Sequence, residues 1–406
     1  MLAPYWHKLV RHFLLAATRI PRRLRNDESW GTPRRILFNV NLPNHFPQYR
    51  VLIEHLLRRD DLELYFADPG RPTRRPTDLL PLELLEQLRP CTAVWAATQA
   101  WDLVVECSFA SLLPILTSHR RAAQVFHGAA GKYLLGGQDI RFHPKLALYD
   151  LVAALSENHF QALRSSGQLK HPGAAVLTGY SKLDPLVDGS VHRDEVLRSW
   201  GVDPSKPTVL YAPSWNAQLS LEQIGEELLE TLGGREITLL VKPHPMSLPL
   251  GDHFRPMPAA LRSRRWDLVL EEAHRRGKLH WVRDQETARY LAAADILITD
   301  FGSTAFEFAV TERPMLFYST PEADALASDR ESLELLQTAA FPFSDGKSLL
   351  ASLDAALEHG MNPKRSAAMQ TLAEQYFHDP GRAGARLAQA VVRMLDFTVA
   401  SSALTA

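Results

Sequence analysis

The sequence predicts an α/β protein with two sets of parallel strands that alternate with helices. Short apolar runs rich in β-branched residues recur along the chain, and helical stretches follow them. The runs lie near residues 35–40, 62–66, 103–106, 122–126, 152–156 and 176–177, and again near 209–211, 237–241, 280–282, 296–299 and 315–318. A break at 188–193 separates the two sets. We therefore expect two Rossmann-like domains, residues 35–188 and 189–378, facing each other across a cleft.

Composition agrees with a large enzyme that has two hydrophobic cores. The chain has 406 residues, of which 46% are hydrophobic and 22% are charged. Its net charge of -1 does not favour binding to nucleic acid. The only cysteines are Cys91 and Cys107. Because they have neither metal-ligand spacing nor a disulfide pattern, we predict a location in the reducing cytoplasm and no structural zinc site. No cluster of carboxylates in the sequence suggests a required metal, and we expect no cofactor.

The first 34 residues predict a basic amphipathic helix. Apolar side chains recur there at helical spacing, and basic residues surround and follow them: Trp6, Leu9, Val10, Phe13, Leu14 and Ala17, with Lys8, Arg11, Arg19, Arg22, Arg23 and Arg25. The apolar run is too short to cross a bilayer. The pattern favours a peripheral anchor on the inner face of the cell membrane. A helix packed on the first domain or on a partner is the alternative.

One strand and turn predict a site for a nucleotide diphosphate. The apolar run 296–299 leads through Asp300 into Gly302-Ser303-Thr304 at the start of a predicted helix. Backbone N–H groups and hydroxyls at a helix start bind phosphate oxygens, and Asp300 would orient the turn. Glu307 lies about one helical turn further on, a spacing from which a carboxylate reaches ribose hydroxyls. An ordinary capped helix has the same pattern.

A second strand end carries Lys242 and His244 between two prolines. Ligands of parallel sheets bind beyond the carboxyl ends of the strands, where these side chains would project. The prolines restrict the backbone, so the lysine and the imidazole are held in position against an anion. A structural histidine is the alternative interpretation.

Polar residues follow three other predicted strands. In the first half these are Asn44 and His45 after one strand, and His127, Gly128 and Lys132 after another; in the second half Ser214 follows the strand at 209–211. The glycine permits close approach of a ligand to the backbone, and the lysine adds positive charge. Ser214 could donate to a phosphate, although its turn could also be purely structural.

In order, these elements resemble the CDP-glycerol glycerophosphotransferase family, whose members make teichoic-acid-like polymers. The resemblance covers about residues 120–395. It is carried by His127-Gly128-Ala129, Gly179-Tyr180-Ser181-Lys182-Leu183-Asp184, Tyr211-Ala212-Pro213-Ser214-Trp215, His244-Pro245, Asp300-Phe301-Gly302-Ser303 with Glu307, Arg313-Pro314, and His378-Asp379-Pro380-Gly381-Arg382-Ala383. The chain departs from the family pattern at Ala129, Ser181, Gly302 and Glu307, where the family has threonine, proline, serine and aspartate.

The resemblance implies the two-domain arrangement called GT-B. The donor would bind the second domain and the acceptor the first, while residues 379–406 would form a helix that crosses back. His127 would then be the general base and His244 would steady the transferred phosphoryl group. The residues that would bind the donor are Lys242, Ser214, Asp300, Gly302, Ser303, Thr304, Glu307 and Arg313, although Arg313 could instead simply start the next strand with Pro314. Gly128, Lys132, Asn44 and His45 would lie on the acceptor side.

The expected reaction transfers a polyol phosphate from a CDP-polyol to a hydroxyl of a lipid-linked or polysaccharide acceptor. Glycerol phosphate is the default group, with ribitol phosphate or a sugar as alternatives. A GT-B glycosyltransferase that uses a nucleotide sugar is the second hypothesis. A non-catalytic scaffold of an envelope-polymer assembly complex is the third. The base of the nucleotide, the number of units added and the oligomeric state are left open by the sequence.

Overall fold

The computed structural model describes residues 33–108, 111–126, 128, 134–135, 138–139, 144–248, 264–327 and 329–403. Residues 1–32, which hold nearly all of the predicted basic amphipathic helix, lie outside the described residues, as do His127 and Lys132. No helix in the described part of the chain combines the length and the apolar composition needed to cross a bilayer.

Within the described residues, seven parallel strands form the sheet of the first half. They are β1 (Arg34–Asn39), β2 (Leu62–Ala67), β3 (Arg89–Pro90), β4 (Ala100–Glu106), β5 (Ser118–Gln124), β8 (Leu151–Ala154) and β9 (Ala175–Leu177), in the order β3-β2-β1-β4-β5-β8-β9; β6 (Leu134–Leu135) and β7 (Gln138–Asp139) pair separately as an antiparallel hairpin. Strand β1 packs Leu37 into one hydrophobic core and Ile36 and Phe38 into another. Its apolar residues are continuous because helices cover both faces of the sheet.

The described helices of the first half connect these strands and cover them. They are α1 (Phe46–Leu56), α2 (Ala93–Ala97), α3 (Glu157–Ser165) and α4 (Asp184–Val187). Helix α1 follows β1 and buries Tyr49, Leu52, Ile53 and Leu56, which recur at the spacing of one helical face. Pro47 at its first turn fixes φ without the loss of a helical hydrogen bond.

In its described part, the second half repeats the same design with six parallel strands. They are β10 (Thr208–Tyr211), β11 (Thr238–Val241), β12 (His280–Trp281), β13 (Ile296–Thr299), β14 (Met315–Tyr318) and β15 (Phe341–Phe343), in the order β12-β11-β10-β13-β14-β15. In both sheets the chain reverses its direction of travel beside the first strand, between β1 and β4 and between β10 and β13. Ligands of open parallel sheets bind at such points, so the topology places a site on each half.

Helices surround this second sheet on both faces. They are α5 (Arg193–Ser199), α6 (Ser220–Leu232), α7 (Trp266–Arg275), α8 (Thr287–Ala293), α9 (Ser303–Ala309), α10 (Pro321–Asp324), α11 (Arg330–Ala339), α12 (Gly346–His359) and α13 (Pro363–Tyr376). The two parallel sheets with covering helices agree with the predicted α/β class.

The last helix, α14 (Ala383–Ala403), packs on the first half of the molecule. Leu387, Val391 and Leu395 lie in the same core as Ile36 and Phe38. The Asp184 carboxylate accepts hydrogen bonds from backbone N–H groups at the start of this helix, from Gly381 at 2.9 Å, Ala383 at 3.0 Å and Gly384 at 2.6 Å. The end of the chain therefore crosses back from the second half and packs on the first.

Candidate active site

Three strand ends of the second sheet converge on one region. Strand β10 leads to Ser214, β11 leads to Lys242 and His244, and β13 leads to Asp300. The three strands are neighbours in the order β11-β10-β13, so their carboxyl ends lie side by side. The rings of Trp215 and His244 are 6.1 Å apart. The sequence-predicted donor residues at these strand ends are thus brought together.

The buried carboxylate of Asp300 organises the middle of this region. It accepts a hydrogen bond from the Ser214 backbone N–H at 2.7 Å. It also accepts from Ser220 at the start of α6, from the backbone N–H at 3.3 Å and from the hydroxyl at 2.8 Å. Asp300 therefore orients the turn after β10, and it does so from a fully buried position.

The turn after β13 lies against the turn after β10. Gly302 precedes α9 in an extended conformation. A methyl group in place of its hydrogen would lie 3.1 Å from Ser214 Cβ, which is tighter than ordinary van der Waals contact. The small residue at 302 permits this close approach. Ser303 and Thr304 follow in the first turn of α9 and are partly exposed, so their hydroxyls are accessible to a ligand.

His244 is held by the turn that it begins. Its Nδ1 accepts a hydrogen bond from the Met246 backbone N–H at 3.1 Å. A neutral imidazole that accepts at Nδ1 carries its proton on Nε2. This ring is therefore arranged to donate a hydrogen bond from Nε2, which suits a phosphate oxygen better than it suits proton abstraction.

Lys242 supplies a positive charge to this region and is partly buried. Its Nζ donates to Gln285 Oε1 at 3.1 Å and lies 5.8 Å from the centre of the Tyr290 ring. Burial lowers the pKa of the ammonium from 10.5 to about 8, although the negative charge of Asp284 opposes that shift. A bound anion would compensate the ammonium group for its lost hydration, so Lys242 is suited to bind an anion.

The first half approaches the same region through the loop after β5. A methyl group placed on Gly128 would lie 3.1 Å from Ser303 Oγ. Gly128 belongs to the predicted acceptor side and Ser303 to the predicted donor turn, so the structure brings these two predictions together. Gly128 of the first half therefore lies against the start of α9.

Asn44 and His45 lie in the loop between β1 and α1. His45 is fully buried. The Asn44 Oδ1 atom is also buried and accepts no hydrogen bond within the described structure. Their neighbours Pro43 and Phe46 line a cavity of about 470 Å³ between the halves, which Lys182, Gln285 and Glu286 also line. Asn44 and His45 thus lie beside the cleft.

Comparison with known proteins identifies the chain's family. The family described as CDP-Glycerol:Poly(glycerophosphate) glycerophosphotransferase matches residues 91–393. The chain belongs to this family. The resemblance seen in the sequence is thereby confirmed. Over 253 residues the chain is 24% identical to the teichoic acid glycerol-phosphate primase of Bacillus spizizenii (strain ATCC 23059 / NRRL B-14472 / W23). That match covers 57% of this chain and 59% of the primase, so the chain spans less than two thirds of its curated relative.

Solved structures share the fold of this glycerophosphotransferase family member. The wall teichoic acid polymerase TagF is 13% identical over 98% of this chain and 99% of the TagF chain, with a TM-score of 0.66. TagF has also been solved after a soak with CDPG, and that structure has the same TM-score of 0.66. The MnaA–UDP structure from S. aureus is 12% identical over 89% of this chain and 97% of that one, with a TM-score of 0.54. The predicted two-domain α/β fold is confirmed.

Glu307 of this family member is engaged in an ion pair between the halves. Its Oε1 lies 2.8 Å from Lys182 Nζ, and the two side chains are only 1% and 8% exposed. The Tyr180 hydroxyl lies 3.4 Å from the same oxygen. The predicted contact with ribose therefore requires Glu307 either to bind the ribose and Lys182 at the same time or to leave Lys182 when the ribose binds.

Arg313 lies away from the other predicted donor residues. It precedes β14, at the amino end of the sheet, whereas the site lies at the carboxyl ends of the strands. Its guanidinium donates to the carbonyl oxygens of Leu291, Ala292 and Ala294 at the end of α8. Burial lowers its pKa to about 10. The structure thus corrects the prediction of a donor-phosphate contact: this arginine caps a helix.

Sequence reasoning did not single out Lys182, Gln285, Glu286 or Arg50 as parts of the site. Lys182 lies in the family-like element 179–184, to which no site role was assigned, and the other three have no motif around them. Their roles arise from contacts between residues far apart in the chain. Within the described ranges, no three His, Cys, Asp or Glu side chains are grouped as metal ligands.

Proposed function

We propose that this protein transfers a polyol phosphate, glycerol phosphate by default, from a CDP-polyol to a hydroxyl of a lipid-linked or polysaccharide acceptor. One observation carries the proposal. A cation, an imidazole and hydroxyls from three adjacent strand ends meet where Gly128 of the opposite half approaches Ser303. Family membership and the TagF–CDPG structure support the choice of donor. The product would extend or prime an envelope polymer.

The donor diphosphate would lie across the turn after β13. Ser303, Thr304 and Ser214 would donate hydrogen bonds to its oxygens, and Lys242 would supply a positive charge. His244 would donate from Nε2 to the phosphoryl group in transfer. Such groups act by positioning and by electrostatic stabilisation, which are the main requirements of phosphoryl transfer.

The reaction itself would be an in-line displacement. The acceptor oxygen forms a bond to the phosphorus next to the polyol, the bond from that phosphorus to the bridging oxygen breaks, and CMP leaves with the electron pair. The hydroxyl proton would pass to His127, which follows β5 in sequence and lies outside the described residues. A neutral imidazole near physiological pH is suited to that role.

The acceptor and the membrane complete the proposal. Asn44 and the cavity beside it would lie on the acceptor's path, with Gly128 closer to the reacting hydroxyl. Lys132, which lies outside the described residues, would add positive charge on the acceptor side. The basic segment before residue 33 would hold the enzyme on the inner face of the cell membrane, where its positive charges meet anionic head groups. Such a position would bring a lipid-linked acceptor to the cleft.

A thermal-shift panel tests the donor. Wild type and the variant H244N would be heated with CDP-glycerol, CDP-ribitol, CMP and common UDP-, GDP- and CMP-sugars, since a ligand of the native state raises the melting temperature. We expect CDP-polyols to stabilise wild type, and CMP to be released when a lipid-linked acceptor is added. Stabilisation only by a sugar nucleotide would make the protein a glycosyltransferase. No response to cytidine nucleotides and no CMP release would overturn the proposal.

A further inference from the structure

The side chain of Gln285 is fixed between Lys242 and the backbone. Its Oε1 accepts from Lys242 Nζ at 3.1 Å, and its Nε2 donates to the Arg283 carbonyl at 3.0 Å. Only the amide oxygen can accept from an ammonium group, so the oxygen faces the lysine. The bond from Nε2 to the Arg283 carbonyl holds the amide in that orientation. In the described structure, Gln285 is the hydrogen-bond partner of Lys242 and no carboxylate lies within ion-pair distance of it.

The next residue, Glu286, is tied to the other half of the molecule. Its Oε1 lies 2.7 Å from Arg50 Nε, and Arg50 belongs to α1 of the first half. Glu286 and Arg50 are 24% and 21% exposed, so this ion pair is largely withdrawn from solvent. Arg50 is further surrounded by Glu83 at 3.1 Å and Glu54 at 3.7 Å, which hold its guanidinium in place.

The segment that joins these two contacts is itself constrained. Asp284 Oδ1 accepts from the Glu286 backbone N–H at 2.9 Å, and Asp284 Oδ2 accepts from Arg289 Nε at 2.6 Å. Glu286 is the residue that immediately precedes α8, and its backbone carbonyl accepts from the Arg289 backbone N–H at 3.1 Å. Gln285 and Glu286 are adjacent in this constrained turn, so the contact of Glu286 with Arg50 also restricts the position of the Gln285 backbone.

We infer that Gln285 is a positioning residue for Lys242, and that the Arg50–Glu286 ion pair across the cleft couples the relative placement of the two halves to that position. The inference rests on the proposed function, since it takes Lys242 as a ligand of the donor phosphates. An ammonium group has three N–H donors. With one N–H directed to Gln285, the directions of the other two are fixed. An anion bound at the neighbouring strand ends can then accept hydrogen bonds from them.

The first experiment removes the amide acceptor. Q285M has nearly the same shape as glutamine but no hydrogen-bonding oxygen, and Q370M is the matched control, since Gln370 bonds to Glu374 at 2.9 Å on the exposed surface of α13. We expect Q285M to raise the Kd and the KM for CDP-glycerol about tenfold while kcat changes much less. Q370M should leave all three unchanged. Equal affinity of Q285M and wild type would overturn the inference.

The second experiment tests the coupling across the cleft. E286Q and R50M should each weaken CDP-glycerol binding by about three- to tenfold, and the double variant should be no weaker than either one. In the Q285M background, E286Q should add no further loss, because its effect passes through Gln285. Losses from E286Q and Q285M that multiply independently would overturn the coupling.

A third measurement keeps the inference testable if CDP-glycerol is not the donor. The rate at which acetic anhydride acylates Lys242 at pH 8, followed by mass spectrometry, reports the state of the amine without any nucleotide. Loss of the Gln285 oxygen destabilises the ammonium form, so Lys242 should react several times faster in Q285M than in Q370M. Equal rates would overturn the inference. Lack of CDP-glycerol binding by wild type, with the rates different, would overturn only the proposed function.

Discussion

Lys182 Nζ and Glu307 Oε1 lie 2.8 Å apart in an almost fully buried ion pair that joins the two halves of the molecule. Removal of one partner leaves an uncompensated buried charge, and such losses are large. We expect E307Q to lower the free energy of unfolding by about 3–5 kcal/mol in chemical denaturation. The double variant K182M/E307Q should recover most of that loss, because neither charge remains.

The same double variant separates structure from ligand binding at Glu307. If Glu307 also binds the donor ribose, the double variant will be stable yet will bind CDP-glycerol weakly. Recovery of both stability and affinity would show that Glu307 serves only the ion pair. A double variant as unstable as E307Q would contradict the electrostatic explanation.

His244 provides a second prediction, because its two ring nitrogens have different roles. Asparagine can still accept from the Met246 N–H, as Nδ1 does at 3.1 Å, but it lacks the N–H donor at the position of Nε2. We expect H244N to keep the melting temperature within 2 °C or so of wild type and to lower kcat by about 10²–10³, as for loss of one donor to a transition-state oxyanion. H359N, at an exposed histidine, is the control. A large loss of stability in H244N would contradict the assigned tautomer.

Substitution of Asp300 should reduce both the stability of the protein and its affinity for the donor. Its carboxylate accepts from Ser214 and twice from Ser220, and an asparagine would present an NH₂ group to one of these donors. We expect D300N to lower the free energy of unfolding by about 3 kcal/mol and to weaken CDP-glycerol binding. D345N is the matched control, since Asp345 is an exposed N-cap and asparagine caps as well as aspartate does. Full stability in D300N would contradict an organising role.

The sequence predicted the strand ends well because their signals are local. A short β-branched run followed by a small-residue turn needs no distant information, and the predicted strands 296–299 and 315–318 match β13 and β14 residue for residue. The edge strands β3 and β15 were not predicted. The second contains Pro342 between two phenylalanines, a residue that strands tolerate at an edge but that weakens any strand signal.

The partners of the site residues could not be predicted in the same way. Lys182 and Glu307 are 125 positions apart, and Arg50 and Glu286 are 236 apart. Such pairs depend on how the two halves face each other, which no local pattern encodes. Arg313 shows the converse error, since its position before Pro314 resembled a family motif while its role is set by the carbonyl groups at the end of α8.

Arg313 should therefore affect stability and not donor binding. R313M removes the donor to three carbonyl oxygens at the end of α8. We expect a loss of about 2–4 kcal/mol in the free energy of unfolding. The Kd for CDP-glycerol, measured at a temperature where the variant is folded, should equal that of wild type. R198M at an exposed arginine serves as the control. A selective rise in Kd would restore the donor-phosphate role.

The last prediction concerns pH, and it follows from the burial of Lys242. In the ligand-free protein its pKa is lowered from 10.5 to about 8, so the ammonium group loses its proton as the pH rises through that value. Asp284 and Tyr290 are the titratable neighbours that face it. We expect kcat/KM for CDP-glycerol to fall above about pH 8, because the neutral amine no longer attracts the phosphates.

The variant K242R tests whether Lys242 causes the fall of kcat/KM above about pH 8. Arginine stays protonated throughout the accessible range, so its profile should remain flat where that of wild type falls, even if its maximum is lower. For wild type, the free energy of unfolding should rise over the pH range in which kcat/KM falls. The buried ammonium disfavours the folded state below pH 8, and this penalty disappears between pH 8 and 10.5, so the free energy of unfolding should rise there relative to K242M. A kcat/KM decline that is identical in wild type and K242R would assign it to another group.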